Sequence, residues 1–282
     1  MSKRNTQEAK RAARERLQAE RKKQAKSEKI RRQLVVAVSA IGVLVLLGLV
    51  VVTIANMGGS DDSTDWDQVA TQLEEEDADY ATPAHASGED GLTVLLGDEG
   101  AANTFTFYEE PRCPACASFE RNVGETVKEG IENGDFNAEF VFGAFFDEGQ
   151  TGGTGSKNAV SALGAALNVS PEAFLGYAQA LYSEEFHTSG SGNRPDDFGS
   201  DDRLLEIGRT VAALEDDFAT FEDAVNDSTF AAWAIRMDEK FSSSPADSTP
   251  TIMLNDEVIP APPGDAPWNP EYFLAQFEEN KQ

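Results

Sequence analysis

The chain has 282 residues, of which 50 are acidic and 23 are basic, and its net charge is −27. This length allows one sizeable domain with appendages, and the acidic excess disfavours nucleic acid as a partner. The charge is unevenly divided, because residues 1–33 carry a net +9 and the remainder carries −36.

Residues 34–55 form an uncharged apolar run of 22 residues. A helix of that length spans roughly 33 Å, which is enough to cross a bilayer core of about 30 Å. The positive-inside rule predicts that the basic tail at 1–33 is cytoplasmic and that the large remainder is extracytoplasmic. A cleaved signal peptide and a twin-arginine export signal at Arg31 and Arg32 are the alternatives. The length of the run favours an uncleaved single-pass anchor in the cell membrane.

Residues 56–90 are acidic and rich in small side chains, so they are predicted to form a flexible or partly helical stem. The extracytoplasmic domain is predicted to occupy residues 91–282. Its first elements are predicted to be strands at 93–96 and 104–108, a helix at 114–132 and a long strand at 138–146. Two strands around a helix make a βαβ unit, which implies a parallel pair.

The glycine-rich segment 149–155 lacks the ending of a phosphate-binding loop and is predicted to be a loop only. Helices are predicted at 156–168, 171–183 (capped by Ser170), 201–214 and 218–240, the last with breaks. A polar surface loop at 189–200 does not have the aspartate spacing of a calcium-binding loop. The chain is predicted to close with a strand at 251–254, a turn at Asn255 and Asp256, a strand at 257–259 and a helix at 269–279.

The two cysteines, Cys113 and Cys116, lie three positions apart between a predicted strand and a predicted helix. So short a loop makes a weak structural disulfide, and His85 and His187 do not complete a zinc site. An inert pair is the remaining alternative to redox chemistry. Pro114 suits the first helical turn, so Cys113 should face the unpaired amide groups of the helix, which favour its thiolate and lower its pKa.

The segment FYEEPRCPAC at residues 107–116 resembles the active-site segment of DsbA-like thiol-disulfide oxidoreductases. The segment STPT at 248–251 is similar to the cis-proline loop of that family, and the helical stretch at about 147–240 matches its inserted subdomain. The resemblance covers about residues 91–280. It implies an α/β, thioredoxin-like fold with an inserted helical subdomain. The apolar run at 34–55 predicts a single transmembrane helix before that fold.

The resemblance also implies the roles of individual residues. Cys113 would be the nucleophile that forms the mixed disulfide, and Cys116 would be its partner sulfur. Pro250 would be a cis-proline beside the disulfide, and Thr249 would present its backbone to an extended substrate segment. An ordinary trans proline at a strand edge is the alternative for Pro250.

Pro114 and Ala115 would complete the active-site loop. Many DsbA relatives have histidine where this chain has Ala115, and alanine offers neither charge nor hydrogen bond to a thiolate. Cys113 is therefore expected to be less acidic, and its disulfide less oxidising, than in a histidine-bearing relative.

These observations predict a membrane-anchored protein-disulfide oxidoreductase that oxidises reduced cysteines in exported proteins, without a metal or cofactor. The resemblance implies that a membrane quinone-linked oxidase reoxidises it. A reductase or isomerase working in the opposite direction is an alternative, and so is a non-catalytic thioredoxin-fold binding or chaperone module. Among other conspicuous residues, both histidines are predicted to be solvated, and Trp66, Trp233 and Trp268 are predicted to be packing residues.

Overall fold

In the computed structural model, the described residues are 64–74, 79–98, 100–148, 152–188, 196–264 and 266–282. The predicted cytoplasmic tail at 1–33 and the predicted membrane anchor at 34–55 lie outside them. Within the described ranges, no helix combines the length and the apolar character needed to cross a membrane.

The described strands form one sheet, whose members are β1 (Val94–Leu96), β2 (Thr104–Glu109), β3 (Asn137–Phe142), β4 (Thr251–Leu254) and β5 (Glu257–Val258). Their order across the sheet is β1-β3-β2-β4-β5. Strands β2 and β3 are parallel, whereas the other neighbouring strands are antiparallel. The predicted βαβ unit is therefore confirmed, and β2 lies at the centre of the sheet.

The described helices are α1 (Trp66–Leu73), α2 (Pro114–Asn133), α3 (Gly155–Val169), α4 (Pro171–Leu181), α5 (Asp201–Gly208), α6 (Phe218–Asn226), α7 (Ala231–Ser242) and α8 (Pro270–Asn280). Helix α2 connects β2 to β3, and helices α3 to α7 are inserted between β3 and β4. The predicted thioredoxin-like sheet with a helical insertion is confirmed.

Local sequence explains where several of these elements begin and turn. The side chains of Ser170 and Asn269 accept a backbone N–H in the first turns of α4 and α8, and a proline follows each cap. Asn255 and Asp256 form the tight turn between β4 and β5 with φ values of 51° and 69°. The Ser170 cap and this turn are where the sequence predicts them, whereas Asn269, predicted as the first residue of the closing helix, is its cap.

The core on one face of the sheet is aromatic. Along β2, alternate side chains point into it, so Phe105, Phe107 and Glu109 are all buried. The Phe105 ring lies 4.8 Å from the ring of Phe136 and 4.7 Å from that of Phe273 in α8. Because Glu109 continues this inward alternation, a carboxyl group is carried into the interior at the end of the central strand.

Two predicted elements are shorter in the structure. The strand predicted at 138–146 ends at Phe142, and a 3-10 turn at Phe145–Asp147 follows it. The Asp238 carboxylate accepts the Ala144 N–H at 2.7 Å, which removes that N–H from the sheet. The helix predicted at 201–214 ends at Gly208, and a separate 3-10 turn follows it.

Part of the segment assigned to the stem packs against the helical insertion. The buried indole of Trp66 donates to the Asn158 side chain in α3 at 2.9 Å. Arg236 in α7 donates to the Leu73 carbonyl at 3.0 Å. The folded part of the chain thus includes α1, a short helix whose main signal in the sequence is one tryptophan among acidic residues.

The predictions for the three tryptophans and the two histidines have different outcomes. Trp66 and Trp233 are buried packing residues as predicted, and Trp268 packs edge-on against Phe119 at 5.6 Å. His85 is exposed. The prediction for His187 is wrong, because its side chain is buried and this burial lowers its pKa to about 4.

Candidate active site

Cys113 lies where the central strand gives way to helix α2. It is the N-cap residue of α2, with φ −74° and ψ 121°, and Pro114 occupies the first helical turn. The Cys113 N–H donates to the Glu110 carbonyl at 3.0 Å, which closes the short loop between β2 and α2. The Cys113 side chain therefore lies at the positive end of the helix, as the sequence predicts.

The two cysteines are free thiols, and they are not equally accessible. Cys113 is 6% exposed, whereas Cys116 is 0% exposed. Cys116 is enclosed together with Ala117 and Tyr182, and Phe146 packs against the same cluster. Cys113 is thus the outer sulfur and Cys116 is the inner one.

The surroundings drive the two pKa values apart. The pKa of Cys113 is lowered to about 6, first by a hydrogen bond from Cys116 and also by the backbone amides of Ala115 and Cys116, against the opposing effect of burial. Burial raises the pKa of Cys116 well above its ordinary value, and the hydrogen bond to Cys113 and the nearby Glu109 add to this. At neutral pH the pair therefore consists of one thiolate and one thiol.

The pairing of β4 with β2 brings a distant loop to the cysteines. Thr251 opens β4 opposite Tyr108 in β2, and the Thr249–Pro250 peptide immediately before it is cis. The Cys113 sulfur lies 3.5 Å from the Thr249 carbonyl oxygen, to which it donates in its protonated form. The structure therefore brings Thr249 and its neighbour Pro250 to the outer sulfur.

The two remaining predicted loop residues lie in the first turn of α2. Pro114 is half-buried, and Ala115 is exposed beside it. The Ala115 side chain leaves this position open to solvent, while its backbone amide is one of the groups that favour the Cys113 thiolate.

Two buried carboxyl groups beneath the cysteines were missed by the sequence analysis. Glu109 ends β2 and Glu120 lies in α2, and they share a hydrogen bond. Burial raises the pKa of Glu109 well above its ordinary value and that of Glu120 to about 7. A Cβ added at Gly124 would come within 2.6 Å of a Glu120 carboxylate oxygen, so this glycine leaves room for Glu120.

A third buried acid, Glu110, lies in the loop before Cys113. Its carboxylate accepts the Arg112 N–H at 2.7 Å and the Ser156 hydroxyl. Burial raises the pKa of Glu110 to about 8. Loop residues are ordinarily exposed, so the sequence carried no local signal for Glu110 or Arg112. The signal for Glu109 was present, because it continues the inward alternation of Phe105 and Phe107.

Within the described ranges, no group of three or more His, Cys, Asp or Glu side chains could hold a metal ion.

Two adjacent thiols that differ so much in acidity are suited to forming, transferring and breaking a disulfide. Held at this point of a thioredoxin-like sheet, they resemble the cysteine pair of DsbA-like thiol-disulfide oxidoreductases. Residues 89–275 match the family model described as thioredoxin, and the chain belongs to that family.

Comparison with individual proteins agrees with this assignment. The chain is 23% identical over 166 residues to disulfide bond formation protein D of Bacillus subtilis (strain 168), an alignment that covers 58% of this chain and 68% of that protein. Oxidised DsbA of Mycobacterium tuberculosis superposes with a TM-score of 0.52 at 24% identity, over 66% of this chain and 91% of that one.

The thiol-disulfide oxidoreductase MdbA of Actinomyces oris has the same fold, with a TM-score of 0.57 at 16% identity over 71% of this chain and 90% of that one. The resemblance to DsbA-like proteins that the sequence suggests is thus confirmed.

Proposed function

We propose that this chain is a membrane-anchored enzyme that introduces disulfides into exported proteins through Cys113 and Cys116. The observation that carries the proposal is the acidic Cys113 sulfur at the start of α2. A low pKa keeps Cys113 as a thiolate and therefore stabilises the reduced enzyme. When the reduced form is stabilised, the disulfide is a stronger oxidant. The names of the relatives, which are disulfide-forming proteins and oxidoreductases, support the same direction.

The reaction begins with an oxidised Cys113–Cys116 pair and a client that carries two reduced cysteines. One client thiolate attacks the Cys113 sulfur, the enzyme disulfide breaks, and Cys116 leaves with the electron pair. Because burial raises its pKa, the Cys116 thiolate takes up a proton and becomes a thiol. The client is now joined to Cys113 through a mixed disulfide.

The second client thiolate then attacks the client sulfur of the mixed disulfide. Cys113 leaves as a thiolate, and its low pKa makes it a good leaving group. The client has lost two electrons and gained a disulfide, and the enzyme has gained those electrons as a reduced pair. In this scheme the Thr249 backbone holds an extended client segment beside Pro250.

The reduced enzyme must pass two electrons to an oxidant before the next cycle. We assign this step to a membrane quinone-linked oxidase. The apolar run at 34–55 would anchor the enzyme beside it, with the tail at 1–33 in the cytoplasm and the folded domain, including α1, outside.

The direction of electron flow is tested by trapping the pair in living cells. Cells that express the full-length chain are quenched with acid and alkylated with a maleimide that adds mass to each free thiol. We expect a mainly oxidised pair in the wild type. A mainly reduced pair would contradict the proposal and favour the reductase or isomerase.

A Cys116→Ser variant supplies the matched control, because it lacks the resolving sulfur but keeps Cys113. Client proteins should accumulate on it as mixed disulfides that reducing agent releases. An absence of such adducts would argue against Cys113 as the client-facing sulfur.

Anchoring is tested separately by fractionation. The full-length chain should remain with membranes after alkaline carbonate extraction, and external protease should remove its catalytic domain from spheroplasts. A variant that lacks residues 34–55 is the control and should leave the membrane fraction. If alkaline carbonate released the full-length chain from membranes as it releases this variant, the anchor would be excluded.

A further inference from the structure

Helix α3 of the insertion begins beside the loop that precedes Cys113. The first N–H groups of any helix have no partner within the helix, and its N-terminus attracts negative charge. Thr154, the N-cap residue of α3, makes no side-chain cap of its own. Instead, the Asp147 carboxylate accepts the N–H groups of Ser156 and Lys157, each at 2.8 Å.

A second carboxylate, that of Asp196, completes the capping. It accepts the N–H groups of Thr154 at 3.1 Å and Gly155 at 2.8 Å. A Cβ at Gly153 or Gly155 would overlap the Asp196 carboxylate, so these glycines let the backbone wrap around it. In its described part, the glycine-rich segment predicted to be only a loop is thus an anion cradle that is filled by the protein's own aspartate.

The Arg112 guanidinium lies between these two carboxylates. Its Nη1 atom lies 3.0 Å from Asp147 and 3.4 Å from Asp196, and it donates to the Gly152 carbonyl at 2.9 Å. The Arg112 side chain is only 4% exposed. Arg112 directly precedes Cys113, so these contacts tie the catalytic loop to the start of α3.

Glu110 makes a second link between the same two segments. Its carboxylate accepts the Arg112 N–H and the hydroxyl of Ser156, the first-turn residue of α3. The Arg112 side chain and the Glu110 carboxylate thus both connect the loop before Cys113 to the N-terminus of α3.

We propose that Arg112 is a positioning residue, which holds the Cys113 sulfur against the amide groups of α2 by tying its loop to the N-terminus of α3. The proposal rests on the proposed function, since it concerns the sulfur that would exchange disulfides. Position rather than charge is the contribution assigned to Arg112. Two carboxylates face its one positive charge, so little net field remains to act on the thiolate.

The test is the ionisation of Cys113 in the purified, reduced full-length chain, followed by thiolate absorbance at 240 nm and by the rate of iodoacetamide alkylation. Arg112→Gln removes both the charge and the contacts. Arg112→Lys keeps a charge but cannot contact both carboxylates and the Gly152 carbonyl in the same planar geometry. We expect the pKa of Cys113 to rise by about one unit in both variants, so that alkylation at pH 6 slows about fivefold.

If Arg112→Lys titrates like the wild type while Arg112→Gln does not, the charge acts directly and the positioning role is overturned. The role is also overturned if both variants fold and keep the wild-type titration. Arg209→Gln is the control, because Arg209 forms a surface pair with Glu222 and should leave the titration unchanged.

Asp196→Asn keeps the inference testable if the Arg112 variants do not fold. It removes one carboxylate that holds Arg112, and we expect a smaller rise in the pKa of Cys113. Its matched control is Asp197→Asn, because the neighbouring Asp197 binds Thr188 instead. A wild-type titration in Asp196→Asn would overturn the proposal. These measurements need neither client nor oxidase, so they can fail while the proposed function stands, and the reverse also holds.

Discussion

The two ends of the central strand β2 are built from different chemistry. At its start, neutral side-chain amides form hydrogen bonds between β2 and the turn after β4. The Asn255 side chain accepts the Thr104 N–H at 3.0 Å and donates to the Asn103 side chain at 2.9 Å. At its end, Glu109, Glu110, Arg112 and Cys113 bury four ionisable side chains within five residues.

The contrast separates what stabilises this domain from what gives it reactivity. Neutral amides that satisfy one another are inexpensive to bury, whereas ionisable groups are costly to bury and respond by shifting their pKa values. The first end of the strand therefore contributes stability that does not depend on pH. The second end gives up stability to hold a reactive sulfur among acids.

The largest effect is expected at the reactive end. Cys113→Ser should lower the rate of thiol-disulfide exchange with a reduced dithiol peptide by at least about a thousandfold, because it removes the outer, more acidic sulfur. Its free energy of unfolding should stay within about 1 kcal/mol of the wild type. Client binding could survive in this variant. Full exchange activity in this variant would exclude catalysis through Cys113.

The pH dependence of stability should come from the same end. The pKa values of Glu110 and Glu120 are raised to about 8 and about 7, so the folded state binds more protons than the unfolded state above about pH 4.5. The stability that these two groups contribute should therefore fall as the pH rises, by about 1 kcal/mol per pH unit each, up to about pH 7 for Glu120 and about pH 8 for Glu110. The lowered pKa values of His187 and Cys113 act in the opposite sense, His187 between about pH 4 and 6.5 and Cys113 above about pH 6, so the net fall should be steepest between about pH 5 and 6.

Glu110→Gln should flatten this dependence, which urea unfolding of the reduced domain between pH 5 and pH 9 would measure. Glu125→Gln, on the exposed face of α2, is the matched control and should follow the wild type. A wild-type slope that is flat or rises between pH 5 and pH 6, below the range in which Cys113 ionises, would show that these carboxyl groups are not protonated in the folded domain.

The start of the strand should behave in the opposite way. Asn103→Ala removes the acceptor of the Asn255 amide and of the Gln282 N–H, and we expect a loss of about 1–2 kcal/mol in the free energy of unfolding. The pKa of Cys113 should not change, because no charge has been altered. If the thiolate titration of this variant shifted, the start of β2 would influence the ionisation of Cys113, and the contrast between the two ends of the strand would be wrong.

The smallest effect is expected at Ala115, which is exposed beside the thiolate. Ala115→His should add a hydrogen bond or a positive charge to the reduced state and lower the pKa of Cys113 further. In equilibrium with glutathione, the variant should shift about threefold to tenfold toward the reduced enzyme. An unchanged or more reducing disulfide would contradict the explanation offered for this alanine.

Elements with strong local signals were predictable. Four features were predictable because each depends only on the conformational preferences of residues adjacent in the sequence. They are the aromatic run of β2, the proline after Cys113, the cap at Ser170 and the turn at Asn255. Predictions failed where a distant group intervened. Asp238 ends β3 early by binding the Ala144 N–H, and the insertion buries His187.

The sequence by itself determined that Cys113 stands at a helix start with Cys116 one turn further on, because cysteine spacing, Pro114 and the preceding strand are all local. Only the tertiary structure decided what surrounds that sulfur. The Thr249 carbonyl comes from 136 positions away, and the Asp196 carboxylate that holds Arg112 comes from beyond three intervening α-helices, α2, α3 and α4. Such contacts leave no periodicity in the sequence, because they depend on how the sheet and the insertion pack against each other.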